Sequence, residues 1–84
     1  MTPDQFTDRV FLLARENGWV TPRDVIICPN SKTLNREKVR ALFVLSRRRN
    51  FPPAAADTAA LKSLKIQTCC FERLRELAVT AYNQ

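Results

Sequence analysis

The sequence predicts an all-α fold, a small bundle of four to five helices formed by a single helical domain at residues 1–84. Apolar residues make up 45% of the chain and occur in every segment, so a packed core can form. Helix-start signals recur along the chain. One glycine and five prolines are too few for the many tight turns of a small all-β domain.

The first helix has clear signals at both ends. Thr2 is placed to cap it, Pro3 suits the first helical position, and Gln5 completes a capping box. Apolar residues then repeat at helical spacing, at Phe6, Val10, Leu13 and Ala14. Gly18 can take the left-handed conformation that ends a helix, so the helix is expected to stop at Asn17.

A second, short helix is expected to begin after Thr21, where a Thr-Pro pair repeats the first start signal. Val20 and Val25 are spaced as a hydrophobic staple across that helix start. Pro29 blocks further helix. The β-branched residues 25–27 also fit a buried strand, so the sequence leaves helix and strand open for residues 25–28.

The third helix is predicted from about Leu34 to Arg49, with Asn35 or Thr33 as its cap. Leu34 and Val39 are spaced as a staple. Residues 41–45 are apolar on every side of the helix, which predicts that this helix is central. The order of the first three helices is helix-turn-helix-like.

A last helical region follows a break at residues 50–53, with Asp57 as its predicted cap and a kink or break near residues 66–68. One face carries the apolar residues Leu61, Leu64, Cys70, Leu74, Leu77 and Ala81. This stripe fits packing within the bundle. It equally fits a homodimer through the C-terminal helix, to which Tyr82 would contribute.

Composition argues against several classes of function. The chain has no histidine, and its three cysteines include no CxxC pair, so we expect no metal, no cofactor and no enzyme activity. No apolar run approaches the roughly 18 residues of a membrane span. The first residues lack the features of a signal peptide, so a cytoplasmic protein without membrane contact is expected.

The positive charge is concentrated in one segment. Residues 1–30 carry a net charge of −1, residues 31–50 carry +6, and residues 51–84 carry +1. The basic residues at the end of the third helix suit the negative pole of its dipole, but those at its start oppose the dipole. An anionic partner explains the charges at the start better, because phosphates attract clustered Lys and Arg side chains.

Three interpretations of this segment remain open: contact with nucleic acid, docking on an acidic protein surface, and a solvated face that only promotes solubility. For the first, the candidate nucleic-acid-binding residues are Lys32, Asn35, Arg36, Lys38, Arg40, Arg47, Arg48 and Arg49.

The stretch from residue 6 to residue 49 resembles helix-turn-helix, winged-helix-like DNA-binding domains. The resemblance lies in residues 18–25 (GWVTPRDV), where a glycine and a capping threonine precede a short helix. It implies that residues 34–49 form the recognition helix, with its beginning in the major groove. The residues that would then face DNA are Ser31, Lys32, Thr33, Asn35, Arg36 and Arg40. Arg36 and Asn35 would suit guanine and adenine edges, and Lys32 a phosphate.

The sequence thus predicts a non-enzymatic nucleic-acid-binding module, a small regulator or accessory factor that acts through its basic third helix, with DNA as the expected partner. The alternative is a small protein-binding inhibitor or adaptor, such as a virus- or mobile-element-encoded protein that blocks a host complex. Its partner would be an acidic or nucleic-acid-binding protein surface.

Overall fold

The computed structural model describes residues 1–29, 32–48 and 68–83, with the side chains at positions 46, 48, 68, 69 and 71 left out. In chain order the elements are α1 (Pro3–Glu16), β1 (Ile26–Ile27), β2 (Thr33–Leu34), α2 (Arg36–Arg48) and α3 (Thr68–Tyr82). The described residues therefore form three helices and a two-stranded antiparallel sheet. The prediction of an all-α bundle of four to five helices with a helix-turn-helix-like order is wrong.

Helix α1 begins as its sequence predicts. The Thr2 hydroxyl accepts a hydrogen bond from the Gln5 amide at 3.1 Å, and the Gln5 side chain accepts one from the Thr2 amide at 2.9 Å. This reciprocal pair satisfies two backbone donors that the first turn of a helix leaves without partners. The predicted capping box is confirmed.

The end of α1 is a Schellman motif. Gly18 takes φ = +75°, and its amide donates to the Arg15 carbonyl while the Trp19 amide donates to the Ala14 carbonyl. These two bonds satisfy carbonyls that the last turn exposes, and the chain turns sharply away from the helix axis. The predicted role of Gly18 is confirmed.

The predicted second helix is instead a β-hairpin. The Thr21 amide donates to the Val25 carbonyl at 3.0 Å, the Asp24 amide donates to the Thr21 carbonyl at 2.9 Å, and Asp24 has φ = +60°. A turn followed by one left-handed residue is a common three-residue hairpin loop. Proline suits the second position of such a turn as well as it suits the first turn of a helix.

The hairpin places Ile26 at the centre of a small antiparallel sheet. Val20 forms a bridge with Ile26 on one side, and Leu34 pairs with it on the other. Ile26, Cys28 and Leu34 are buried, so one face of this sheet packs into the core. The strand alternative for the segment at residues 25–28 is confirmed at Ile26–Ile27, where β-branched side chains fit a half-buried pleated surface.

Helix α2 begins two residues later than predicted, and Asn35 is its cap. The Asn35 side-chain oxygen accepts a hydrogen bond from the Lys38 amide at 2.9 Å. Leu34 and Val39, on either side of this cap, are both buried, as the predicted staple requires.

The central helix is α1 and not the predicted third helix, because α1 packs against both α2 and α3. Phe6 of α1 stacks on Phe43 of α2, with ring centroids 4.7 Å apart. The described buried hydrophobic residues form one cluster that comprises Phe6, Val10, Phe11, Ala14, Ile26, Cys28, Leu34, Val39, Leu42, Phe43, Cys70, Leu74, Leu77, Ala78 and Ala81.

Helix α3 buries four residues of the predicted apolar stripe, Cys70, Leu74, Leu77 and Ala81. Several features predicted for the last helical region involve positions outside the described residues. They are the break at residues 50–53, the Asp57 cap, the kink between residues 66 and 68, and the apolar residues Leu61 and Leu64.

Arg73 joins α3 to the hairpin: its guanidinium lies 4.1 Å from the ring centroid of Trp19 and donates to the Ile27 carbonyl oxygen. Arg73 therefore packs between α3 and the hairpin.

Gly18→Ala is expected to lower the free energy of unfolding by about 1 kcal/mol, because a side chain disfavours the left-handed conformation even where space is open. Gly18→Asn should cost less, since asparagine tolerates that conformation. Urea titration followed by the fluorescence of Trp19 measures both, with Glu16→Ala as the exposed control. Equal stability of Gly18→Ala and the original protein would show that the motif does not constrain the fold.

Candidate nucleic-acid interface

Arg36, at the start of α2, binds three groups from other elements. Its Nε donates to Asp24 Oδ2 at 2.5 Å, and one of its terminal nitrogens, Nη1, donates to Asp8 Oδ1 at 2.8 Å. Its guanidinium carbon lies 4.5 Å from the ring centroid of Phe11. The side chain is thus fixed between α1 and the hairpin.

These contacts raise the pKa of Arg36, first through the hydrogen bond to Asp24 and then through that to Asp8. Because folding raises this pKa, the contacts stabilise the fold fully at any pH below the pKa of Arg36 in the unfolded protein. The stabilisation is lost only as the pH rises through the pKa of Arg36 in the folded protein. Deprotonation of Arg36 therefore does not weaken the fold anywhere near neutral pH.

Arg40, one turn further along α2, pairs with Asp4 of α1, with its Nε 3.0 Å from Asp4 Oδ1. Arg36 pairs with Asp8, and Arg40, four residues later on α2, pairs with Asp4, four residues earlier on α1. This order is the one expected of antiparallel helices. Arg36 and Arg40 therefore have partners within the fold that help to explain their positions. That an anionic partner explains the charges at the start of this helix better stays a prediction.

The other candidates at the start of α2 differ in exposure. The Asn35 side-chain oxygen is engaged as the helix cap. Lys38 is partly buried and has a further interaction within the chain. Lys32 is exposed before β2, and no carboxylate among the described residues forms an ion pair with it. Of the residues that the family resemblance adds, Thr33 is exposed in β2 and Ser31 lies outside the described residues.

The far end of α2 is different. Arg47 is exposed, and among the described residues no carboxylate pairs with it. Its guanidinium carbon lies 5.7 Å from the ring centroid of Phe43. Arg48 belongs to the same helix, although its side chain is outside the description, and Arg49 lies outside the described residues.

Arg47 opens onto a groove to which all three helices contribute. The groove has a volume of about 590 Å³. It is lined by Met1, Gln5, Arg9, Phe43, Arg47 and Tyr82. None of these residues is acidic. By contrast, the groove around the two ion pairs of α1 and α2 is lined by Asp4, Asp8 and Glu37 as well as by Arg36 and Arg40.

Sequence reasoning missed Arg9 and Gln5 as candidates and considered Tyr82 only for a dimer contact. Each lies far from residue 47 in the chain, and only the packing of α1 against α2 and α3 brings them to one groove. A helical-wheel projection of α1 would have placed Gln5 and Arg9, four residues apart, on one face. It does not show which helix that face meets.

Among the described residues, no group of three or more cysteine and acidic side chains is placed to hold a metal ion. Cys28 and Cys70 are buried, and their thiols donate to the carbonyl oxygens of Ile26 and Thr33. The described helices include none with both the length and the apolar character of a membrane span.

Comparisons of the chain with models of protein families, with curated proteins and with solved structures find no match. The resemblance of residues 6–49 to helix-turn-helix domains therefore stays a prediction.

Arg36→Met is expected to lower the free energy of unfolding by about 1–2 kcal/mol, since it removes two partly exposed ion pairs and a cation–π contact. Lys32→Met also removes one positive charge, but from an exposed site, and should lower the free energy of unfolding far less. Urea unfolding at low and high salt measures the difference. Equal losses for the two variants, or a difference that salt does not reduce, would contradict the role of these ion pairs.

Proposed function

We propose that this protein is a non-enzymatic nucleic-acid-binding module that contacts phosphates through the far end of α2. The observation that carries the proposal is the distribution of charge between the two ends of this helix. Asp4, Asp8 and Asp24 pair with the arginines at its start, whereas the described residues offer Arg47 no acidic partner.

The proposal assigns binding to residues 47–49 and Arg9, with Lys32 as a separate exposed charge. Three arginines are consecutive in the sequence at residues 47–49, and such runs of basic residues attract phosphates and release their counterions. Arg9 of α1 lines the same groove as Arg47. Nucleic acid is a better candidate than an isolated anion because phosphates repeat along its backbone.

The proposal does not extend to base readout by the start of α2. An arginine that reads guanine needs both of its outer donors directed at the base, and an asparagine that reads adenine needs its whole amide group. Arg36 directs two donors at carboxylates, and Asn35 uses its oxygen as a cap. Phosphate contacts of this kind position a nucleic acid without reading its sequence.

The direct test is fluorescence anisotropy of labelled duplex DNA and single-stranded RNA at several salt concentrations. Binding is expected to weaken steeply with salt. Arg47→Gln should weaken binding to both and reduce the slope of log affinity against log salt by about 1, because one phosphate contact is lost.

Arg23→Gln is the matched control, since Arg23 is also exposed but lies in the hairpin. The two variants have the same net charge, so any difference between them reports on location. Equal effects would mean that only the overall charge matters. Absence of binding by the folded protein would refute the proposal, and the alternative of a protein-binding inhibitor or adaptor with an acidic partner would then be favoured.

A further inference from the structure

The buried ring of Phe43 lines the three-helix groove. Phe43 is 2% exposed, and its ring stacks on that of Phe6 at an interplanar angle of 20°. The guanidinium of Arg47 lies over the same Phe43 ring. A cationic side chain held against an aromatic face loses less rotamer freedom when it binds a ligand.

The rim of the groove combines two kinds of binding group. Arg9 and Arg47 line the groove from facing helices, and Arg9 already has interactions within the chain, one of them from its Nη1 to Met1 Sδ. Gln5 supplies an amide nitrogen, since the capping box uses its oxygen. Tyr82, from α3, lines the same groove and remains 43% exposed although it is aromatic. Donors for an anion and an exposed ring for stacking therefore lie at one site.

The size of the groove limits what fits. Its volume of about 590 Å³ lies within the range of roughly 300–1,000 Å³ that is typical of small-ligand pockets. Such a space suits a base, a sugar and a phosphate, but it is too small for a duplex to enter. Proteins that bind single strands combine basic grooves with aromatic side chains on which bases stack.

We propose that this groove binds one nucleotide unit of a single-stranded nucleic acid, with the phosphate on Arg9 and Arg47 and the base stacked on Tyr82. This inference rests on the proposed function and names its substrate class. The stacking contact distinguishes it from simple charge attraction, because a paired base inside a duplex cannot offer its face to Tyr82. The protein should therefore bind a single strand more tightly than a duplex of equal length.

Tyr82→Leu tests the stacking contact, with Tyr82→Phe as the variant that keeps the ring and Val79→Ala as a control at another exposed apolar residue of α3. Tyr82→Leu is expected to weaken binding of an oligoadenylate roughly tenfold, which is within the range for loss of one stacked base. Tyr82→Phe and Val79→Ala should bind as the original protein does. Affinity for duplex DNA should change less than twofold in all three, and circular dichroism checks that each is folded.

Proton NMR provides a second measurement, because Tyr82 is the only tyrosine of the chain. Its ring protons should shift when oligoadenylate is added and should not shift with inorganic phosphate alone. If oligoadenylate and duplex bind but Tyr82→Leu changes neither, or changes both equally, the groove inference is wrong and the proposed function stands. If neither nucleic acid binds, the proposed function fails and the inference fails with it.

Discussion

The contacts of Arg36 hold the first half of the structure together. Its guanidinium reaches Asp8 and Phe11 on α1, and Asp24 at the turn of the hairpin, from the first turn of α2. Asp24 is also the residue with φ = +60°, so the carboxylate is presented by the residue that reverses the chain. The turn, the direction of α2 and the packing of α1 are therefore linked through one side chain. Since the contacts are partly exposed, each one stabilises the fold only modestly. Their main effect is to fix the positions of the turn, α1 and α2 relative to one another.

The same contacts decide where positive charge remains available. Asp4 and Asp8 are four residues apart on α1, and Arg36 and Arg40 are four residues apart on α2, so antiparallel packing aligns both pairs. Within the segment that carries a net charge of +6, Arg36 and Arg40 are paired with acidic residues, whereas the described residues offer Arg47 no such partner. The net charge of a segment therefore overestimates how many of its basic side chains can bind an external anion. The partners of each residue within the fold must be known as well.

Local signals in the sequence predicted both caps of α1 and offered Asn35 as one of two caps for α2, but they could not predict contacts between distant residues. The caps at Thr2, Gly18 and Asn35 each depend on a few neighbouring residues, so the sequence shows them directly. Thr21 and Pro22 are compatible with a helix start and with a hairpin turn, and the choice depends on the pairing of Ile26 with Leu34. Likewise, no pattern within α2 reveals that Arg36 meets Asp24. The groove at Arg47 could not be predicted for the same reason, because it needs three packed helices.

The helix dipole does not by itself account for the arginines at the end of α2. A helix C-terminus carries the equivalent of about half a negative charge, and one cation in the last turn is enough to complement it. Three consecutive arginines at residues 47–49 bring several times that charge. Mutual repulsion among them opposes folding unless anions are near. A phosphate bound beside Arg47 would reduce such repulsion, whereas Arg36 and Arg40 already have carboxylate partners within the fold. This contrast favours the end of α2 over its start as the place where the proposed phosphate contact would lie.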